Sequence, residues 1–425
     1  MADPVNEIDV DLGIQEILLA ASQHDTTKLR RLLRANDAAR NPANVKDPET
    51  GYSPLHAAIA ACEPDEEEQM KTNGVQTNGE RHTSEQESTV ETAVETVKLL
   101  LQEGAIWNDL DLNDETPGCI ARRLGLTELY EMVVDAGVRA ELLLNRLDGY
   151  EQLSDEEMEE DGEQEQEQQD TADADANAPN TAEDESVPQL VDLAAAAPTQ
   201  TAEAEPSVTS SRYLNSDLTF QQDRLLDQDQ NGVMMAWESD IMAKSAKQLL
   251  PTPGLRVLNV GHGMGIVDSF IQEQSPSAHH IIEAHPSVVA EMKRKGWHEK
   301  PGVVIHEGKW QDILPGLVAE GVMFDAIYYD TFAESYADFR DFFTEQVIGV
   351  LEQDGKWSFF NGMGADRQIS YDVYQKVVEM DLFEAGFDVV WEEVDVPKLE
   401  CEWNGVRRPY WSIDKYRLPL CKYMD

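Results

Sequence analysis

The sequence predicts an α/β fold, a predominantly parallel sheet flanked by helices, with an all-helical segment ahead of it. Three observations carry that reading. From Leu255 onward, apolar strand-like runs alternate with segments of helical length, the pattern of a sheet built through crossover connections. The first of these runs passes directly into a glycine-rich turn, Gly261-His262-Gly263-Met264-Gly265. Between the two halves, Leu147 to Ser211 holds 20 acidic residues and no Lys or Arg, a composition that cannot bury a core. The expected division of the 425 residues is a helical domain over 1–146, an acidic disordered linker over 147–211 and an α/β domain over 212–425. More than one folded unit is also the expectation from length alone.

In the first segment, Ile14 to Ala21 and Lys28 to Leu33 place apolar residues at helical spacing. Thr50-Gly51-Tyr52-Ser53-Pro54-Leu55-His56-Ala57-Ala58 then reads as a turn opening a new helix, and it resembles the ankyrin repeat signature. A weaker copy follows at Asn113 to Ala121, continued by a helix from Leu129 to Gly137, and Val94 to Gly104 resembles another second helix. Pro64 to Ser88, polar and containing Gly and Asn, reads as an inserted surface loop. So short a stack buries little surface by itself and calls for caps or contact with the other domain. Within the linker, Val187 to Ala197 reads as a short helical piece.

Charge narrows the function classes. Lys+Arg 33 against Asp+Glu 83 leaves a formal net charge of −50, which argues against nucleic acid as a direct partner and favours a basic one. The four cysteines show neither metal-ligand spacing nor disulfide density, and no metal is expected. The acidic N-terminus does not read as a secretory leader and no apolar run reaches membrane-spanning length. The expectation is a soluble intracellular protein, cytoplasmic, with nuclear access open.

The α/β segment reads in order. Leu255 to Val260 is an apolar strand, the glycine turn follows, and a helix begins near Ile266. His279 to His285 is a second strand with Glu283 placed 18 residues after Gly265, where a doubly wound fold positions a carboxylate for ribose hydroxyls. Further strands are expected at Gly302 to His306, Phe324 to Tyr329, Lys356 to Asn361 and Phe387 to Glu392. Helices are expected at Ser287 to Lys295, Phe339 to Leu351 and Ser370 to Glu384. His279 and His280 are neighbours on a strand, point to opposite faces and make a poor shared metal site.

The glycine turn resembles that of class I S-adenosylmethionine-dependent methyltransferases, whose fold is Rossmann-like. Val233 to Glu238, Asn259 to Met264, Ile281-Ile282-Glu283, Gly308 to Asp312 and Tyr328 to Thr331 are similar to guanidinoacetate N-methyltransferase. With the ankyrin-like N-terminus added, the architecture resembles the fungal protein arginine N-methyltransferase 2 family, which methylates the δ-nitrogen of arginine. The resemblance implies S-adenosylmethionine as cofactor and a ribosomal protein as the basic substrate. It assigns Gly261, His262, Gly263, Met264, Gly265 and Ile266 to the methionine and ribose part of the cofactor, and Glu283 to the ribose. It places Ala284 and His285 at the adenosine edge, Trp310 and Gln311 at the adenine, and Met242 in the cofactor pocket. Tyr213 matches an aromatic closing over the cofactor, and Asn259 departs from the acid that many methyltransferases carry there.

Glu238 and Asp330 are the candidate catalytic pair, Asp330 lying beside the cofactor site as well. A planar cationic guanidinium is matched by two carboxylates, which fix its position and its plane. Taken singly, Asp330 reads as a strand-end acid capping the next helix and Glu238 as a solvated helix residue; their joint match reverses both. Whether a base acts before transfer or solvent takes the proton afterwards stays open at this point. Asn361 and Gly362 fit either a substrate wall or a plain strand-to-turn transition. The aromatic tail of Trp403, Tyr410, Trp411 and Tyr416 reads as sheet packing. Two alternatives stand beside this reading: a small-molecule guanidino N-methyltransferase, and a non-catalytic ankyrin scaffold that binds the cofactor.

Overall fold

The computed structural model describes residues 4–35, 41–63, 79–147 and 208–424. The described residues up to Arg146 and from Thr209 onward form one compact unit. The acidic tract, with its expected helical piece at Val187 to Ala197, lies outside the described residues from 148 to 207. Its last two residues, Ser210 and Ser211, open a short helix, Ser210–Leu214, capped by Thr209.

Helices α1 (Pro4–Ser22), α2 (Thr26–Ala35), α3 (Pro54–Ala60), α4 (Gly79–Gln102), α5 (Pro117–Arg123) and α6 (Thr127–Leu147) form the N-terminal part. Ser53 and Thr116 start α3 and α5 alike. Each is an extended N-cap whose hydroxyl accepts the N–H three residues on, with proline in the first turn. Two expectations need correction here. Of the stretch expected as a loop, 64–78 lies outside the described residues, but from Gly79 the chain is helix through to Gln102. Gly137, expected at a helix end, lies inside α6.

The second part is built on a seven-stranded sheet in the order β6-β5-β4-β7-β8-β10-β9. Its strands are β4 (Arg256–Val260), β5 (Ala278–Glu283), β6 (Val303–Glu307), β7 (Phe324–Tyr329), β8 (Leu351–Phe359), β9 (Phe387–Asp395) and β10 (Lys415–Tyr423). The pairs from β6 to β8 are parallel, whereas β10 runs antiparallel to both β8 and β9. The sheet is therefore mixed rather than predominantly parallel throughout. β10 turns back between its neighbours; Tyr416, Leu418 and Cys421 are buried along it, with Lys415 and Lys422 exposed near its ends, a largely apolar run bounded by charge that marks the strand. The helix Trp310–Ala319 was likewise not anticipated; Trp310 was read only as a site residue.

A three-stranded antiparallel sheet, β1 (Thr219–Phe220), β2 (Arg224–Leu226) and β3 (Gly232–Met235), precedes the large one. Asp227 closes its β2–β3 turn by accepting N–H groups from Asp229 and Asn231 at 2.9 and 2.8 Å. β3 leads into a helical turn, Ala236–Glu238, and so carries Glu238 towards the large sheet. Crossovers from β4 lead to β5 and β6 on one side, and β7 lies on the other. The carboxyl ends of β4 and β7 therefore flank a topological switch point, the usual ligand crevice of open α/β sheets. Among the described residues, no helix is long and apolar enough to cross a membrane.

Candidate active site

Two adjoining cavities open at this switch point. The first is lined by Tyr213, Met234, Gly261, Gly263, Glu283, Ala284, Trp310 and Asp330, among others. The second is lined by Glu238, Asp330, Glu334, Asn361, Tyr410 and the aromatic rings of Tyr329, Phe332, Phe339, Phe359 and Phe360. Val233, Asp330, Thr331, Phe332 and Glu334 border both.

The glycine turn makes the first cavity. Gly261 has φ +92°, and a Cβ there would lie 1.9 Å from the carbonyl oxygen of Asp330. Gly263 has φ +54°, and a Cβ there would lie 2.8 Å from Met234 Cε and 3.0 Å from its sulfur. Only glycine leaves the backbone room at these points. Glu283 ends β5 with its carboxylate turned onto the turn: Oε2 accepts from His262 N at 2.8 Å and Gly263 N at 3.3 Å, Oε1 from His285 N at 2.7 Å. Glu283 thus orders the loop and still borders the cavity, where a carboxylate can meet ribose hydroxyls. Trp310 forms another wall, its Nε1 donating to both carboxylate oxygens of Glu334 at 3.0 and 3.1 Å. Tyr213 packs between Phe332 and His285, with ring centroids 4.9 Å apart in each pair.

Several residues expected to touch the cofactor lie behind the cavity instead. Met242 is fully buried in the core with Leu225, Val257 and Tyr328. The His262 side chain turns inward: Nδ1 meets Asp268 Oδ2 at 2.6 Å, while His279 Nε2 meets Oδ1 at 2.9 Å. Burial would raise the Asp268 carboxyl, but the facing imidazoles hold it well below the usual carboxylate range. Asn259 Nδ2 donates to Asp268 and to Gly261 O. An amide at this position thus ties the turn to the helix Ile266–Glu273. Met264, Gly265 and Ile266 belong to the turn and helix start without bordering the cavity. His285 caps the helix Pro286–Arg294 through Ser287 N, and its Nε2 lies 3.1 Å from Tyr213 O. Gln311 reaches Glu334 at 3.5 Å and lines neither cavity.

Glu238 and Asp330 do come together at the second cavity. Glu238 is 3 % exposed, its Oε1 accepting from the Tyr410 hydroxyl and its Oε2 from Met235 N at 3.4 Å. Burial foremost, with Asp330 adding, pushes its carboxyl up to about 8, against the pull of these two donors. Asp330 is held by its backbone N–H on Val260 O at 2.9 Å; enclosure foremost, then Asp268 and Glu283, raises its carboxyl to about 7. Three residues that sequence reasoning missed complete the place. Tyr410 holds Glu238, Met234 receives Met264 N at 3.2 Å, and Glu334 gathers Trp310, Tyr329 and Thr331. Among the described residues, no lysine, arginine or histidine lines the second cavity, so the lining offers a cation carboxylates and aromatic rings.

This strand order and glycine turn define a Rossmann-like class I methyltransferase. A family model for guanidinoacetate N-methyltransferase matches residues 209–406. The chain is 92% identical to the Protein arginine N-methyltransferase 2 of Emericella nidulans and 74% identical to that of Aspergillus fumigatus, each alignment covering 100% of both chains. Among solved structures it is similar to the O-methyltransferase TomG of Streptomyces achromogenes, with 15% identity, a TM-score of 0.32, and 45% of this chain and 82% of that one covered. The chain belongs to the protein arginine N-methyltransferase 2 family.

Proposed function

We propose that this chain methylates the δ-nitrogen of an arginine in a basic protein, a ribosomal protein being the substrate class. The reaction itself is an S-adenosylmethionine-dependent methyl transfer to protein arginine. The first cavity fits the cofactor: a carboxylate for the ribose at Glu283, an aromatic wall at Trp310, and backbone at Gly261 and Gly263 that a Cβ would close off. When bound, the cofactor supplies an electrophilic methyl group on a sulfonium centre. Everything else falls to the chain's own residues.

The observation that carries the reading is the pair of raised carboxyls, Glu238 and Asp330, on a cavity that has no basic lining residue among the described residues. As carboxylates they accept N–H bonds from one guanidinium and fix its plane, and the rings of Phe332 and Phe360 offer it π-faces. That clamp orients one nitrogen and favours localisation of the shared lone pair on it. A carboxylate whose proton affinity is this high also takes the proton released by the methylated nitrogen. The N-terminal helices are read as ankyrin-like and as the holder of the protein acceptor. The repeated N-caps at Ser53 and Thr116 support this, as does His56, whose ring spans Ser53 and Glu115 O at 3.2 Å.

The test uses labelled S-adenosylmethionine and a ribosomal protein fraction lacking the modification, followed by hydrolysis of the product. Recovery of δ-N-methylarginine is expected. Methyl on a terminal nitrogen would overturn the regiochemistry. The match to the guanidinoacetate enzyme over 209–406 favours a second reading, a small-molecule guanidino methyltransferase, which label on free guanidinoacetate alone would support.

A further inference from the structure

We propose that the N-terminal helices are a built-in part of the acceptor site, with Tyr130 a positioning residue that acts on Asn361 through Asp372 and Arg417. The inference rests on the reading of the second cavity as the acceptor site. Its starting point is the helix Gln368–Glu384, which belongs to both parts of the molecule. Ile369, Val373 and Val377 are buried in the core of the N-terminal helices, while Val378, on the same helix, lines the acceptor cavity. The approach is close enough to require glycine on the facing helices. A Cβ on Gly118 would sit 2.6 Å from Ile369 Cδ1, and one on Gly137 would sit 2.7 Å from Val373 Cγ2.

A polar chain crosses this junction and ends in the cavity wall. The Tyr130 hydroxyl donates to Asp372 Oδ2 at 2.6 Å. Asp372 Oδ1 receives Arg417 Nη2 at 2.8 Å and Gln368 Nε2 at 3.0 Å. The carbonyl oxygen of Arg417 accepts from Asn361 Nδ2 at 3.1 Å, and the same amide donates to Tyr371 Oη at 3.1 Å. Asn361 N donates to Tyr416 Oη at 2.9 Å. Asn361 is thus oriented entirely from behind: its amide nitrogen is committed to the scaffold, and the carbonyl end of its side chain is left to the cavity. Asp372 and Arg417 are mostly shielded, their side chains 18% and 25% exposed, so each charge-assisted link keeps more strength than a surface pair. Because reacting groups must be placed to within a fraction of an ångström, slackening this chain misplaces the acceptor without touching the cofactor.

The experiment uses the full-length chain and four proteins: wild type, Tyr130→Phe, Arg417→Met and the double variant. Steady-state kinetics with the ribosomal protein fraction, calorimetric S-adenosylmethionine affinity and hydrogen–deuterium exchange are read together, well below the melting temperature. Tyr130→Phe is expected to raise the acceptor KM by roughly threefold to tenfold, as loss of one hydrogen bond to a charged group allows. Cofactor affinity should stay within about twofold, and exchange should quicken in the peptide covering 357–363 but not in that covering 256–266. In the Arg417→Met background, Tyr130→Phe should add nothing, as expected of residues acting in one chain. Unchanged acceptor KM and exchange, equal losses in kcat at constant KM, or fully additive effects would each overturn the inference. Asp330→Asn serves as the control: if it turns over like wild type, the reading of the acceptor cavity fails, independently of the behaviour of Tyr130.

Discussion

At the scale of single residues, the proposed chemistry turns on two carboxyls that the fold keeps from ionising easily. Glu238 at about 8 and Asp330 at about 7 both lie above their ordinary values, so below pH 7 the cavity is largely protonated. A guanidinium stays charged throughout, and in the proposed clamp it is the ionised pair that binds it. The acceptor kcat/KM is therefore expected to rise with pH through 7 to 8 and level off above. A profile flat from pH 6 to 9 would remove the clamp from the mechanism. The same shift has the opposite sign for stability, because the folded chain holds protons that the unfolded chain has released; stability of the ligand-free protein falls as pH rises from the ordinary carboxyl range through 8. Glu238→Gln should raise the melting temperature at pH 8.5 while lowering turnover at least a hundredfold, an outcome that calorimetry and a methyl-transfer assay report together. Glu283→Ala separates from both acids: cofactor affinity should fall tenfold or more, since three backbone N–H groups lose their acceptor and the turn loses its order.

At the scale of elements, the glycine turn and the helix Gln368–Glu384 do the positioning. Gly261→Ala would drive a methyl into the Asp330 carbonyl, displacing the turn and the carboxyl between the two cavities at once. Both cofactor binding and transfer should be lost in a protein that still shows far-UV helix. Gly137→Ala inserts a methyl between Val373 and Trp107 and should cost about 1–3 kcal/mol in urea unfolding; no loss would mean that the junction is looser than its contacts indicate. The elements that sequence reading found most securely are those whose signal is local. Phe324–Tyr329 was read with its observed bounds, because an apolar run between breakers declares a strand wherever it packs. The helix Trp310–Ala319 is not legible in the sequence, because Pro315 interrupts its pattern.

At the scale of the whole molecule, the N-terminal helices and the methyltransferase sheet share a core through Ile369, Val373 and Val377. Removing residues 1–146 would bare those side chains to water, so truncation is expected to yield an aggregating protein rather than an enzyme with one function missing. Intact protein should unfold in a single calorimetric transition spanning both parts; two well-separated peaks would show that the shared helix does not couple them.

What the sequence determined by itself is what neighbours in the chain can encode. The strand feeding Gly261, the acid that ends the next strand at Glu283, and the presence of carboxyls at 238 and 330 all follow from short patterns. The tertiary structure decided which side chains meet. His262, read as a cofactor residue, turns inward to Asp268 because His279, on the next strand, completes a buried cluster there. Tyr410 reaches Glu238 from 172 positions away, and Tyr130 reaches Asp372 from 242. No local pattern can announce such pairs, since strand order and helix packing alone bring them within hydrogen-bond range. The physical reason is that backbone propensity and periodicity are properties of a few consecutive residues, whereas burial, proton affinity and orientation are set by whatever the folded chain places alongside.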